Sequence, residues 1–454
     1  MKKNDQHQRV IVMGAGQSGQ ALVRFFVARD ATVVLSDQRS LEQLGGLPAL
    51  AGLPVHYDLG GHDPALFADA DLIAVSPGVP LTNEALQHAI HCGVPVWGEI
   101  EIAAREINAP IIAVTGTNGK STTTSLIGEV MQAWGKDVFV GGNLGTPFVS
   151  AALHPYQLAV VELSSFQLEA IDTFHPQIAL LLNLSADHLD RYPDLPSYFA
   201  AKRNIFKNMK TTDLAVLNAD DPAVAELCSD IQATKVWFSA AGKQVAGLTR
   251  QGHQLQWSWQ GAQEVFALSA LRLSGEHNVE NAMAALTAAL LHGCPGDLAW
   301  RTICDFGGLP HRMQLVRTLA GVKWYNDSKG TNVGSVMKSL AGLDRPVTLI
   351  AGGKDKGGDY APLRPLLAEK VRHLILIGEA RRKMNTELAG CCDIHCVDSM
   401  AEAVATAQRL TPEGGAVLLS PACSSFDMFA GYEQRGTVFT ELVQALSSPG
   451  EVSR

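Results

Sequence analysis

The sequence has no apolar run approaching the roughly 20 residues that a membrane-spanning helix needs. It also lacks a surplus of basic residues: 36 Lys and Arg stand against 45 Asp and Glu, a formal net charge of −9. That balance offers no general attraction to nucleic acid or an anionic membrane, so any phosphate site must be a local basic feature. The first nine residues, Met1-Lys-Lys-Asn-Asp-Gln-His-Gln-Arg9, carry no apolar signal-peptide core and lead directly into a strand. These absences predict a cytoplasmic protein. Eight cysteines are scattered through the chain, which predicts reduced thiols and no disulfide framework. Cys391-Cys392-Asp393-Ile394-His395-Cys396 lacks a second Cys or His pair at zinc-finger spacing and alternates like an edge strand.

What is present is a chain of 454 residues, too long for one core, so two to four domains are expected. Its organising stretch runs from Pro110 to Thr124. Ile111 to Val114 reads as a short buried strand, Thr115-Gly116-Thr117-Asn118-Gly119 as a tight loop, and Lys120-Ser121-Thr122 as the opening of a helix. That helix carries Leu126, Ile127, Val130, Met131 and Trp134 on one stripe and stops near Gly135. A strand, a glycine loop and a helix N-terminus make a phosphate cradle. Backbone N–H groups and the helix dipole face the anion, the lysine supplies charge, and the following hydroxyl can hold Mg²⁺. The general pattern wants glycine where Val114 stands, so this is a variant loop. It predicts a nucleoside triphosphate site.

Upstream, Val10 to Gly19 is a strand followed by G-x-G-x-x-G (Gly14, Gly16, Gly19), with helix expected over Ala21 to Ala28. A second strand, Thr32 to Ser36, ends at Asp37, 18 residues beyond Gly19. Glycines permit close backbone approach to a pyrophosphate, and an acidic residue meets a ribose. Alone this argues for NAD or FAD, but any diphosphate ligand with a ribose could use the same geometry. A third strand, Asp71 to Val75, ends at Ser76-Pro77-Gly78, the carboxyl edge where open α/β sheets bind ligands.

Downstream of the phosphate loop, strand Leu158 to Glu162 ends in an acid that can reach a phosphate-bound Mg²⁺, and Ser164 begins a helix. Strand Ile178 to Leu182 leads to Asn183 and Asp187-His188-Leu189-Asp190-Arg191-Tyr192. The ends bearing Ser121, Glu162 and His188 are expected to converge on one edge, as metal-assisted phosphoryl chemistry requires. Helix Ser197 to Met209 contains Lys202 and Lys207 and is followed by Lys210, and composition alone reads all three as solvated lysines. Residues 234 to 274, with Trp237, Trp257 and Trp259, read as an antiparallel excursion. An alanine-rich helix starts at Glu276-His277-Asn278. Strands Val322 to Tyr325, Val347 to Ile350, Leu374 to Ile377 and Ala416 to Leu419 then alternate with helices, predicting a further doubly wound sheet. The expected fold is α/β in three domains. They are a Rossmann-like 1–98, a P-loop ATPase-like 99–306 with a mostly parallel sheet and the antiparallel excursion, and a Rossmann-like 307–454.

Taken together the chain resembles the Mur ligase family over nearly its full length. The motifs that carry this are Thr115-Gly-Thr-Asn-Gly-Lys-Ser-Thr122, Glu162-Leu-Ser-Ser-Phe-Gln167, Asp187 to Tyr192, Gly308-Leu-Pro-His-Arg312, Asn326-Asp-Ser-Lys329 and Ser420-Pro-Ala-Cys423. The first is shared across the superfamily, including folylpolyglutamate synthases. The Glu162 and Ser420 segments, the short first domain and the lack of an Asp-Asn-Pro-Arg segment point to the branch that adds D-glutamate. The alternative is another amino-acid ligase of that superfamily.

The resemblance implies an ATP-dependent, amide-forming ligase of peptidoglycan biosynthesis, acting as a monomer. Its implied substrates are UDP-N-acetylmuramoyl-L-alanine and D-glutamate, joined through an acyl phosphate and a tetrahedral intermediate. By this likeness the first domain carries no NAD and holds UDP instead. Gly14, Gly16, Ser18 and Gly19 lie near the diphosphate, and Asp37, Gln38 and Arg39 near the uracil and ribose. Ser76, Pro77, Gly78, Asn143 and Ser164 lie along the same substrate. Gly116, Thr117, Asn118, Gly119, Lys120, Ser121 and Thr122, with Asn278, Asn281, Arg312 and Asp327, match positions around ATP. Lys120, Glu162, His188 and Lys202 are the implied catalytic set. Ser121, Glu162, His188 and a carbamylated Lys202 are implied to hold two Mg²⁺ ions. Lys329, Thr331, Lys356, Ser425 and Tyr432 match positions that receive D-glutamate, and lysines with hydroxyls suit an amino acid with two carboxylates. Gly330 stands where alanine is expected, and Tyr432 where phenylalanine is common.

Overall fold

The computed structural model describes residues 8–447 apart from Asp190, Ser274, Arg345 and Lys356. The chain forms two compact units. One runs through Leu184 and adds Pro196–Ala270 and Glu280–Cys304; the other comprises Ser185–Leu195, Leu271–Val279 and the chain from Asp305 on.

The first unit contains two sheets. In the N-terminal one, β1 (Arg9–Met13), β2 (Thr32–Asp37), β3 (Val55–Leu59), β4 (Leu72–Val75) and β5 (Val96–Gly98) are all parallel, in the order β3-β2-β1-β4-β5. Val10, Val12, Leu72 and Ala74 are fully buried, as strands covered on both faces require. The strand order reverses between β1 and β4, which opens a crevice at their carboxyl ends. The strand expected third in the chain is the fourth. β3 went unread because Val-His-Tyr-Asp-Leu is a half-exposed edge without an apolar run. The helix after Gly16 runs Gln17–Val27, starting four residues earlier than its apolar stripe suggested.

The central sheet has nine strands in the order β14-β13-β12-β11-β10-β9-β6-β8-β7. They are β6 (Ile111–Thr115), β7 (Val138–Gly142), β8 (Leu158–Glu162), β9 (Ile178–Leu181), β10 (Leu214–Asn218), β11 (Thr234–Ser239), β12 (Gly247–Gln251), β13 (Gln254–Trp259) and β14 (Ala262–Ala267). The expected excursion is antiparallel only from β12 to β14; β11 pairs parallel with both β10 and β12.

One hydrophobic cluster runs from Val10 and Phe26 through Ile100 and Ile102 to Phe148 and Phe174, so the two sheets share a core. Two buried carboxylates lie in that core. Glu101 accepts from the backbone N–H groups of Asp172, Thr173 and Phe174, each at 2.9 Å, and from Arg105 Nε at 2.6 Å. Burial pushes its pKa up, but the Thr173 hydroxyl and these N–H groups outweigh it and hold the carboxyl below its ordinary range. Glu99 accepts from Val149 N–H at 2.5 Å, while its Oε2 is buried without a hydrogen-bond partner. Burial dominates there and pushes the carboxyl up to about 7.

The second unit holds one sheet in the order β15-β16-β20-β17-β18-β19. Its strands are β15 (Gln314–Leu319), β16 (Val322–Asn326), β17 (Val347–Gly352), β18 (Val371–Ile377), β19 (Asp393–Cys396) and β20 (Ala416–Leu419), parallel except for β15. Within the Cys391 to Cys396 segment, Asp393–Cys396 forms edge strand β19, in keeping with its alternation. Among the described residues no helix is long and apolar enough to cross a membrane.

Candidate functional site

The crevice of the first sheet is a cleft of about 490 Å³. Its lining brings together Gly14, Gly16, Ser18, Asp37, Gln38, Arg39, Ser76, Pro77 and Gly78, all named from the sequence. Gly14 has φ +95°, and a Cβ there would meet Ser76 at 2.9 Å. Gly19 lies beneath, where a Cβ would fall 1.8 Å from the Gly14 carbonyl, so this turn closes only with glycine. Asp37, expected to meet a ribose, spends its carboxylate within the protein. It accepts from Ala15 N–H at 2.8 Å and from Arg39 N–H, Nε and Nη2 at 2.9, 2.9 and 2.8 Å. Burial alone would raise its pKa, but the Arg39 contacts and the two N–H groups overcome this and hold it at about 2. Asp37 therefore fixes the Arg39 guanidinium at the cleft wall.

In the central sheet the phosphate loop lies between β6 and the helix Lys120–Ala133. Gly119 caps that helix at φ +87°, with Asn281 Oδ1 only 2.2 Å from where a Cβ would be. The loop is clamped by Asn183, whose Oδ1 accepts from Asn118 N–H at 2.8 Å and whose Nδ2 donates to the Asn118 carbonyl at 2.9 Å. Lys120 Nζ donates to the carbonyls of Gly116 and Thr117 at 3.0 and 2.9 Å. Lys202 is 2% exposed, so the reading of it as solvated is corrected; Lys207 and Lys210 are the exposed ones. Its Nζ donates to the same Gly116 carbonyl at 2.9 Å and sits 4.7 Å from the Tyr198 ring centroid.

Strand β8 pairs with β6 so that Glu162 lies opposite Val114, beside the loop. Its Oε1 accepts from Asn143 Nδ2 at 2.6 Å, while Oε2 is buried with no hydrogen-bond partner. A buried, unpartnered carboxylate oxygen next to a phosphate cradle is a donor fit for a hard divalent cation. Ser121, 3% exposed, opens the helix of the same loop. Among the described residues no group of three His, Cys, Asp or Glu forms a ready metal site. Asn143 and Ser164 stand apart from the cleft lining of the first sheet. Ser164 caps helix Ser165–Glu169, forming a capping box with Gln167.

In the second unit, His188 has φ +56° and lines a cleft of about 330 Å³ with Asp187, Thr331, Asn332 and Tyr360. Asn332 ties this wall together, donating to Asp187 Oδ2 at 2.9 Å and capping helix Val333–Ala341. Asp327 is buried and accepts from the Ser339 and Ser420 hydroxyls, both at 2.7 Å. Burial raises its pKa against those bonds and the pull of Arg312. Arg312 Nε is itself buried without a partner. Asn278, 9% exposed, lies in the first turn of helix Glu276–Leu291, beside His277. Burial, with Lys338 and Arg312 nearby, lowers the His277 ring to about 4. The Lys329 ammonium lies 3.9 Å from the Tyr432 ring centroid, a cation–π contact. Ser425 is buried at the head of its loop. Lys356 lies outside the described residues.

Residues 8–98 match the family description "Mur ligase MurD-like, N-terminal domain", 114–289 "Mur ligase middle domain" and 311–423 "Mur ligase, glutamate ligase domain". The chain belongs to the Mur ligase family. It is 56% identical over 444 residues to a UDP-N-acetylmuramoylalanine–D-glutamate ligase from Syntrophotalea carbinolica, covering 98% of this chain and 99% of that one. It is 48% identical over 443 residues to the ligase of the same name from Geotalea uraniireducens, covering 97% and 98%. A solved UDP-N-acetylmuramate–alanine ligase from Thermotoga maritima shares its fold, with a TM-score of 0.60 at 20% identity, covering 97% of this chain and all of that one.

Several side chains around these Mur ligase sites were not singled out from the sequence. His62 and Asn83 line the first cleft, on segments with no recognisable motif. Arg435, 1% exposed, donates to the Ser328 hydroxyl and carbonyl at 3.0 and 2.9 Å and to the Cys423 and Ser424 carbonyls at 3.2 Å. It thereby joins the loops that carry Lys329 and Ser425. A lone arginine inside a helix gives no sequence signal for that role.

Proposed function

We propose that this Mur ligase uses ATP to couple D-glutamate to UDP-N-acetylmuramoyl-L-alanine in the cytoplasm, in three modules bounded near residues 98 and 306. The observation that carries the reading is Glu162, whose bare buried oxygen stands beside the phosphate loop in a chain matched over 98% of its length by a D-glutamate ligase. A carboxylate is a poor electrophile with a poor leaving group, so its activation as an acyl phosphate precedes attack by the D-glutamate amine.

The part proposed for each residue is the one its motif match implies. The cleft of Gly14 to Arg39 and Ser76 to Gly78 binds the UDP, with Asn143 and Ser164 further along the substrate. Loop N–H groups, Lys120 and Thr122 bind the ATP phosphates and offset the charge that develops during transfer. Asn281, Asn278, Arg312 and Asp327 serve the rest of the nucleotide. Ser121 and Glu162 would hold one Mg²⁺; His188 and a carbamylated Lys202 would hold a second. Bound there, the metal supplies electrostatic stabilisation of phosphoryl oxygens. Lys329, Thr331, Lys356, Ser425 and Tyr432 receive D-glutamate, the lysines pairing with its carboxylates.

The test is phosphate release from ATP in the presence of UDP-N-acetylmuramoyl-L-alanine and a panel of amino acids. Release that requires D-glutamate is expected. Release that instead requires L-lysine, diaminopimelate or a glutamylated folate would contradict the assignment.

A further inference from the structure

His62 lines the first cleft next to Asp37, Gln38 and Arg39, yet no motif assigns it a task. It follows Gly60 and Gly61 at the end of β3, the edge strand beside β2. Its Nδ1 lies 2.7 Å from Ser36 Oγ, and the same hydroxyl donates to Asp58 Oδ2 at 2.7 Å. Ser36 is fully buried. Asp58 Oδ2 also accepts from Asp63 N–H at 3.3 Å. The His62 ring stands edge-to-face on Phe67, with centroids 5.8 Å apart, which fixes its plane.

The proton count along this chain of contacts has one solution. A serine hydroxyl carries a single proton, and a carboxylate can only accept. With that proton given to Asp58, the Ser36 oxygen is an acceptor towards the ring, so His62 Nδ1 carries a hydrogen. Burial lowers the ring's pKa against the pull of Asp58 and Asp37, which favours the neutral form. In a neutral imidazole with Nδ1 protonated, Nε2 is a bare acceptor.

Uridine presents matching donors: the imide N3–H of its base and the 2′-hydroxyl of its ribose. Cytosine has an acceptor at N3 instead. We propose that His62 is a specificity residue for the nucleoside of the substrate, accepting a uridine hydrogen bond at Nε2, with Ser36 and Asp58 as the residues that position it. This rests on the reading of the cleft as a UDP site.

The experiment uses the full chain and measures UDP affinity by calorimetry, together with steady-state kinetics on the UDP substrate and its cytidine and 2′-deoxyuridine analogues. His62→Leu should raise KM for the uridine substrate about five- to tenfold, the worth of one hydrogen bond, with kcat and the KM for ATP within about twofold. The wild-type preference for uridine should shrink by the same factor against one analogue. The cytidine arm identifies the imide, the deoxy arm the ribose. His62→Gln, which keeps an acceptor, should recover part of the loss, and Ser36→Ala should fall between wild type and His62→Leu. An unchanged KM in His62→Leu, or an equal rise for all three substrates, would overturn the role of His62 while leaving the UDP site intact. Failure of the wild type to bind UDP would overturn the cleft reading itself.

Discussion

Lys202 and Lys120 donate to one carbonyl oxygen, that of Gly116, and one of these two cations is buried. Converting Lys202 to a carbamate would exchange the repulsion between two ammonium groups for attraction between opposite charges. ¹³C-labelled bicarbonate should therefore give a carbamate carbon signal in the wild type that disappears in Lys202→Arg. Lys202→Ala should lose at least about a hundredfold in turnover and recover part of it with short added carboxylates. A missing signal with full activity in Lys202→Ala would remove the carbamate from the account. At this scale the sequence was legible where a residue sat in a motif and opaque where burial decided its chemistry. Lys202 and Lys207 lie on one helical stretch, and only tertiary packing separates the buried one from the exposed one. His62 was invisible for the related reason that its partner Ser36 comes from strand β2, 26 residues away.

At the scale of elements, the phosphate loop depends on glycine for both conformation and space. Gly119→Ala would force φ +87° on a residue with a Cβ, at about 1 kcal/mol or more, and drive that Cβ against Asn281. We predict a loss of ATP affinity of at least about tenfold together with a lowered thermal midpoint. Normal ATP binding in that variant would separate the loop's geometry from its function. The strands flanking this loop were readable because they are short apolar runs ending in polar residues. β7, β3 and β15 were not: Val138–Gly142 ends in two glycines, and the other two are half-exposed edges. Alternation also marked the segment from Thr234 as strand, but the antiparallel pairing expected for all of it holds only from β12 to β14. A period of two specifies faces, and partners are chosen elsewhere in the fold.

Across the first unit as a whole, the shared core of the two sheets encloses Glu99, whose folded-state pKa of about 7 stands above the ordinary 4.5. Its stabilising contribution is full below about pH 4.5 and is lost as pH rises through about 7, on the order of 3 kcal/mol in all. Glu99→Gln should lack this dependence, so its unfolding midpoint should gain on the wild type between pH 5 and pH 8. Parallel pH curves for the two proteins would contradict the burial argument. The function of the whole molecule rests on a different claim, that the phosphate loop activates a carboxylate held by the UDP of the first sheet. The direct measurement starts from UDP-N-acetylmuramoyl-L-alanine labelled with ¹⁸O in its terminal carboxylate, with ATP and D-glutamate. One labelled oxygen should appear in the released phosphate, because an acyl phosphate leaves with an oxygen of the carboxylate. Phosphate released without label would contradict it.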